Sequence, residues 1–380
     1  IFSNSEFIIP PDSDTDVLTE HTHLFYSNWS GLSIHISQII GNIIGKWRKS
    51  EVERKCWKSI VFVQIWHWRK RSVFESDHVE IQGVILEEDY DKEKEIRITR
   101  VKIETEKGAK AMGKPVGTYI TLEAPNMAVP DTDYHREVSE KIAGFVQELL
   151  KAQNVKTEEL SVLIVGLGNR QVTPDALGSY VTDNLCATRH IVKEYGKYAM
   201  GMQHVNLVST LAPGVMGQTG METVEVVRGV VKETKPDLVI AVDALAARNS
   251  RRLNRTIQIA DTGIHPGSGV GNHRNGITRE SIGVPVIGIG VPTVVDAATI
   301  VNDTMENLIL ALESSEALKS VGEVLRSYNA AEKYELIKEL IAPHLNGMFV
   351  TPKDVDEMVK QISYTISEGL NLLFSNAEES

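Results

Sequence analysis

The stretch Leu160-Ser161-Val162-Leu163-Ile164-Val165-Gly166-Leu167-Gly168-Asn169-Arg170-Gln171-Val172-Thr173-Pro174-Asp175-Ala176-Leu177-Gly178 decides the fold. Its first six residues are almost continuously apolar, as expected for a parallel strand buried on both faces. Glycines follow. The spacing then predicts a helix starting at Thr173, with Thr as N-cap, Pro174 at the first helical position and Asp175 complementing the helix dipole. Leu238–Val242 is a second buried strand, which this reading ends at Asp243. Thr256–Ile259 and Val284–Ile289 read as further strands, and Gly220–Glu233 and Val294–Leu312 as helices. Strands alternating with helices predict an α/β fold with a wound, mostly parallel sheet flanked by helices.

Upstream, His78–Leu86 and Glu95–Glu104 alternate apolar and polar residues, predicting a β-hairpin whose charged tip is Glu87–Lys92. Gly117–Glu123 adds a short strand. In Asp131–Gln153, apolar residues recur every three or four positions, which makes one face of a helix. Downstream, about 314–375 reads as helical, with Val355, Met358, Val359, Ile362, Ile366, Leu370 and Leu373 on one face.

Composition divides the chain. All five tryptophans lie in the first 68 of 380 residues, as do four of the eight phenylalanines. Residues 1–72 carry a net charge of +2, against −11 for the whole chain, which leaves −13 for the rest. The expected organisation is therefore an atypical Trp-rich segment over 1–75, disordered or out of frame, and one domain over 76–380. Within that domain an α/β core spans about 130–312 and a helical part about 314–375.

No run of 18 apolar residues is present, so no spanning helix is expected. The N-terminal text lacks secretory order, and two cysteines, Cys56 and Cys186, make no disulfide framework or metal spacing. A reducing, cytoplasmic compartment is expected. The acidic body argues against direct nucleic-acid binding, which needs a basic face.

Parallel sheets bind ligands at the carboxyl ends of their strands. Asp243 and Asp175 both fall at such ends. If the two strands are neighbours, the carboxylates face one cleft, and like charges there split the two pKa values. One then serves as base on a water and the other as acid. Asp175 equally fits a first-turn helix residue, and Asp243 a turn residue. Asp261–Asn272 is a glycine-rich loop containing His265 and Gly267, and it fits a loop lining a cleft. Leu211–Gly220 is a second small-residue loop. Gly214 lies within it, and Thr219 or Gly220 is expected to cap the following helix. Asn169 and Thr173 complete the candidate cleft lining. No serine, zinc or cysteine hydrolase motif is visible.

Together, Val165-Gly166-Leu167-Gly168-Asn169, Val172–Gly178, Thr188-Arg189-His190, Leu211–Gly220, Ala241–Ala246, Asp261–Asn272 and Ile287–Asp296 resemble the germination proteases of spore-forming bacteria. The resemblance covers residues from about 80 to the C-terminus. It implies an endopeptidase that initiates degradation of small acid-soluble spore proteins in the spore core. It further implies an atypical aspartic-type mechanism, a zymogen, a homotetramer, and a core distantly similar to hydrogenase-maturation endopeptidases. By motif, the acidic catalytic pair falls on Asp175 and Asp243. No cofactor is expected, although the maturation enzymes bind metal at the corresponding positions, which leaves a metal there open. The family's Arg-Thr-Asp-Leu-Ala-type mature N-terminus is absent before Val79. Peptidyl-tRNA hydrolase, with Asn169 and His190 as its pair, is the alternative enzyme. An inactive binding protein on the same fold is the other alternative.

Overall fold

The computed structural model describes residues 81–155, 159–197, 204–267, 274–315 and 347–375, with Arg326, Ile337, Glu339 and Leu345. Segment 1–75 and much of 314–346 lie outside the described residues, so the expectations placed on them are not addressed by the structure.

The described chain builds one nine-stranded sheet. The strands are β1 (Val84–Asp91), β2 (Ile96–Ile103), β3 (Gly117–Glu123), β4 (Ser161–Gly166), β5 (Leu207–Leu211), β6 (Leu238–Ala247), β7 (Thr256–Ala260), β8 (Val286–Asp296) and β9 (Phe349–Val350). The helices are α1 (Glu106–Met112), α2 (Thr132–Ala152), α3 (Leu177–Asp183), α4 (Arg189–Tyr195), α5 (Met216–Thr219), α6 (Thr223–Thr234), α7 (Arg279–Ile282), α8 (Ala297–Glu313) and α9 (Val355–Phe374).

Strand order is β1-β2-β3-β7-β8-β6-β4-β5, with β9 on β8. The expectation of a mostly parallel sheet is corrected. β5, β4, β6 and β8 are parallel, but the pairings of β1–β2, β2–β3, β3–β7, β7–β8 and β8–β9 are all antiparallel. The reason lies in the connections. Parallel neighbours need a long crossover, which the helices supply in the centre, whereas a short turn joins β1 to β2 and the other antiparallel pairs are set by longer connections that bring strands together from distant parts of the chain.

The hairpin is also shifted. Glu87–Asp91 belongs to β1 and pairs with Arg100–Ile96, so the turn comes only at Lys92–Glu95. Carboxylates on this outer strand discourage edge-to-edge association. Thr105 caps α1, a helix that the period-two pattern before it conceals.

Two apolar layers enclose the parallel half. Val162, Ile164, Ile240 and Val242 face Val138, Ile142, Val146 and Leu149 of α2, and Ile362, Ile366 and Leu370 of α9. Leu163, Val165, Val239 and Ala241 face Val224, Val227 and Val231 of α6, together with Ile264 and Ile277. Period-two alternation within each central strand thus feeds two cores, which is why these strands read as unbroken apolar runs. α2 begins at the Asp131 N-cap, whose carboxylate accepts from the Asp133 and Tyr134 N–H groups.

Gly144 sits on the exposed side of α2, with nothing within 4 Å of an added Cβ. Gly144→Ala is expected to stabilise the protein by up to about 1 kcal/mol, read as a shift of the urea midpoint at unchanged slope.

Candidate active site

The site grows from the carboxyl end of β4. An added Cβ on Gly166 would lie 2.0 Å from Gly178 O, and one on Gly178 would lie 2.4 Å from Leu167 N and 2.6 Å from Val242 O. The first turn of α3 therefore rests directly on the backbone of β4 and β6, and only glycine admits that approach. Leu167 N–H donates to Val242 O at 2.8 Å, which carries the β4–β6 pairing past the strand. Gly168 then takes φ +98°, and an added Cβ there would lie 2.0 Å from Asp175 O. The chain reverses, and Asn169 N–H donates to Asp175 Oδ2 at 2.7 Å.

Thr173 is not a helix N-cap. Thr173–Asp175 is a 3-10 turn preceded by Val172, and α3 begins only at Leu177. The buried Thr293 hydroxyl of β8 donates to Pro174 O at 2.6 Å and ties this turn to the sheet. Tertiary anchoring thus overrides the local capping signal and aims the Asp175 carboxylate back at the loop.

Asp243 does not close its strand, because β6 runs on to Ala247. Asp243 pairs with Gly290 and is 3% exposed. Its Oδ1 accepts from Ala244 N–H at 3.0 Å, while Oδ2 is buried and without a partner. Burial, then the charge of Asp175, push the Asp243 carboxyl up to about 7, against the Ala244 N–H and Arg274. Burial also raises Asp175, while the Asn169 N–H and Arg274 pull it back. The turn after β4 thus brings the charge of Asp175 to bear on the buried carboxyl within the neighbouring strand β6, and both carboxyls bind their protons more tightly than usual.

Asn169 is engaged rather than free. Its Oδ1 accepts from Gln171 N–H at 3.0 Å and from Gln218 Nε2 at 2.9 Å. Gln218 thereby brings the β5–α6 loop to the site. Gly214, at φ +72°, lies beside it, with an added Cβ 2.9 Å from Gln218 Oε1. The capping expectation for this loop is corrected. Thr219 ends α5 and Gly220 follows it in the left-handed region, while Glu222 precedes α6. Thr219 Oγ1 instead engages Val215 O and Met221.

The Asp261–Asn272 loop is anchored by backbone bonds between Ile264 and Ile277, and Gly263 packs on Gly288 of β8. Residues 268–273 lie outside the described set. His265 is exposed, with its ring against Gly276, and Gly267 takes φ +71°. The structure does not join either to the carboxyl pair. It does bring Arg274, whose charge acts on both aspartates. Arg274 and Gln218 carry no signal in the linear text, since a lone cation or amide after a loop is ordinary. His190, the partner required by the alternative enzyme, is exposed on α4.

Among the described residues, no three His, Cys, Asp or Glu side chains gather as a metal site, and no helix is long and apolar enough to cross a membrane. Two carboxylates beside a guanidinium are a thin donor set for a divalent ion.

Residues 63–319 match the family profile described as germination protease. A germination protease of Caldanaerobacter subterraneus is 51% identical over 294 residues, covering 77% of this chain and 88% of that protein. One from Clostridium perfringens is 44% identical over 295 residues, with 77% and 88% covered. One from Bacillus cytotoxicus is 41% identical over 329 residues, with 78% and 88% covered. A profile spanning most of the chain, with relatives this similar over this length, shows that the chain belongs to the germination protease family and is a peptide-bond hydrolase.

Proposed function

We propose that the chain is the endopeptidase that initiates breakdown of small acid-soluble spore proteins in the spore core at germination. In this reading it works as a homotetramer matured from a zymogen, with Asp175 and Asp243 as its catalytic pair. The observation that carries the assignment of the pair is the buried Asp243 carboxyl, raised to about 7 next to a second carboxyl of lower affinity. Groups pushed apart in this way are suited to opposite halves of one proton-transfer reaction.

Ionised Asp175 takes a proton from a water, whose oxygen attacks the peptide carbonyl carbon. The Asn169 N–H holds the Asp175 carboxylate in place. Asp243 carries its proton on Oδ2, since Oδ1 already accepts from Ala244. It donates that proton to the amide nitrogen as the C–N bond breaks. Asp175 is left protonated and Asp243 ionised, and proton exchange with solvent resets the pair. The charge of Arg274 offsets the negative charge shared across the intermediate.

Asp175 must be ionised and Asp243 protonated. Activity is expected to rise through the Asp175 pKa, above the ordinary aspartate range, and to fall as pH passes about 7. Initial rates of spore-protein cleavage across pH test this, and the two limbs belong to the pair jointly. A plateau extending well above pH 8 would contradict Asp243 as the acid.

A further inference from the structure

The turn that carries Asp175 is tied down from three sides. Asn169 N–H donates to Asp175 Oδ2 at 2.7 Å from within the turn. The Thr293 hydroxyl holds Pro174 O from the sheet. The third tie comes from a different loop, where Gln218 Nε2 donates to Asn169 Oδ1 at 2.9 Å. Among the described residues, it is the one hydrogen bond that joins the β5–α6 loop to this turn.

The surroundings fix which way both amides face. Asn169 Oδ1 also accepts from Gln171 N–H at 3.0 Å, so both of its lone pairs are used. Turning the Asn169 amide over would set its NH2 group against two donors. Turning the Gln218 amide over would set two acceptors against each other and take Gln218 Oε1 from Val215 N–H, 3.4 Å away. The two side chains therefore lock each other. Gln218 sits on α5 between Gly214 and Gly220, both at φ +72°, and left-handed glycines on either side let this stretch turn sharply toward Asn169. Residues 216–221 are exposed, so the bond is not backed by buried packing on the α5 side.

We propose that Gln218 is a positioning residue for hydrolysis: by holding the Asn169 side chain, it keeps the Asn169 N–H on Asp175 Oδ2. The inference rests on the reading of Asp175 as the base of the pair. The N–H that orients the carboxylate also favours its ionised form. When Asn169 drifts, the carboxylate loses its aim and also binds its proton more tightly, so the damage grows as pH falls. The other charges coupled to Asp175 are those of Asp243 and Arg274. Arg170, on the same turn, is paired with Asp183 of α3, and β8 offers the uncharged Thr293. Replacing Gln218 with another uncharged residue leaves these charges in place.

The test is the pH profile of kcat/KM for spore-protein cleavage by the full chain. Gln218→Met keeps the length and neutrality of the side chain but donates nothing. Its kcat/KM is expected to fall about threefold at the plateau and about tenfold on the acidic limb, with the alkaline limb and the urea midpoint unmoved. Gln218→Ala, judged in the same way, covers the case in which methionine disturbs the loop. Asn169→Ala removes the acceptor and should reproduce the shift, and adding Gln218→Met to it should cost less than about twofold more. A loss equal at every pH, or one that multiplies with that of Asn169→Ala, would overturn the positioning role. Carbon-13 NMR of labelled aspartate carboxyls, with the Asp175 signal assigned by its absence in Asp175→Asn, separates this inference from the reading it rests on. An Asp175 midpoint moved to higher pH in Gln218→Met, with Asp175→Asn cleaving at the wild-type rate, keeps the positioning and removes the base. An unmoved Asp175 midpoint removes the positioning whatever the cleavage result.

Discussion

Asp243→Asn is expected to lower kcat for spore-protein cleavage by roughly 10²- to 10⁴-fold, the range for loss of a positioned acid or base. Asp175→Asn should do the same from the other half of the reaction. The Asn side chain keeps an oxygen to accept from Ala244 N–H, so the sheet is expected to survive, as circular dichroism would show. A second signature is separate from catalysis. The Asp243 carboxyl binds its proton more tightly in the folded chain, at about 7 against an ordinary value of 3.8. The native state therefore holds more protons than the unfolded state between those values, and stability falls as pH rises through that window. The span corresponds to about 4 kcal/mol, at 1.36 kcal/mol per pH unit, and nothing further is lost above the folded pKa. Urea titrations of wild type and Asp243→Asn should diverge by about that much between pH 4 and pH 8. Parallel curves would mean that Asp243 is ionised in the native protein, and the acid role would go with it.

Gly178→Ala should be the most damaging change of a single methyl. Its Cβ would lie 2.4 Å from Leu167 N, 2.5 Å from Leu167 O and 2.6 Å from Val242 O. All three are backbone atoms, of Val242 within β6 and of Leu167 just past β4, so no side-chain rotation relieves the clash. Either α3 lifts from the sheet or β4 and β6 separate. A loss of about 3 kcal/mol or more is expected, at the upper end of the range for overpacking. The damage should extend to catalysis, because α3 follows directly on the turn that carries Asp175. Gly144→Ala is the matched control, since the same substitution meets open space there. Equal stabilities for the two variants would show that the close contact of α3 with the strand ends is not what holds the site.

Much of this was legible in the linear text wherever burial is periodic along the chain. β3 and α2 fall where alternation and three-four spacing place them, because one face of each element meets a core and the other meets solvent. The glycines at 166 and 168 were also legible as the end of a strand ahead of a helix, whereas the close approach at Gly178 was not. Other elements were not. Leu207–Leu211 is a short edge strand whose pattern is partly exposed, too weak a signal to separate from the loop that follows. Thr173 has every local feature of an N-cap and is not one, because Thr293, 120 positions further on, holds the turn instead.

The linear text alone carried the long periodic elements, the family, and the two aspartates within its motifs. Tertiary structure alone decided how those elements pair and what the aspartates feel. An apolar strand pattern records that both faces are buried, not which neighbour runs beside it or in which direction, so the antiparallel pairings of β7 with β3 and β8 had no local signature. Proton affinity is likewise not a property of a residue type. It follows from burial and from charges brought in by distant segments, Asp175 and Arg274 at Asp243. Those distances come into being only when the sheet closes.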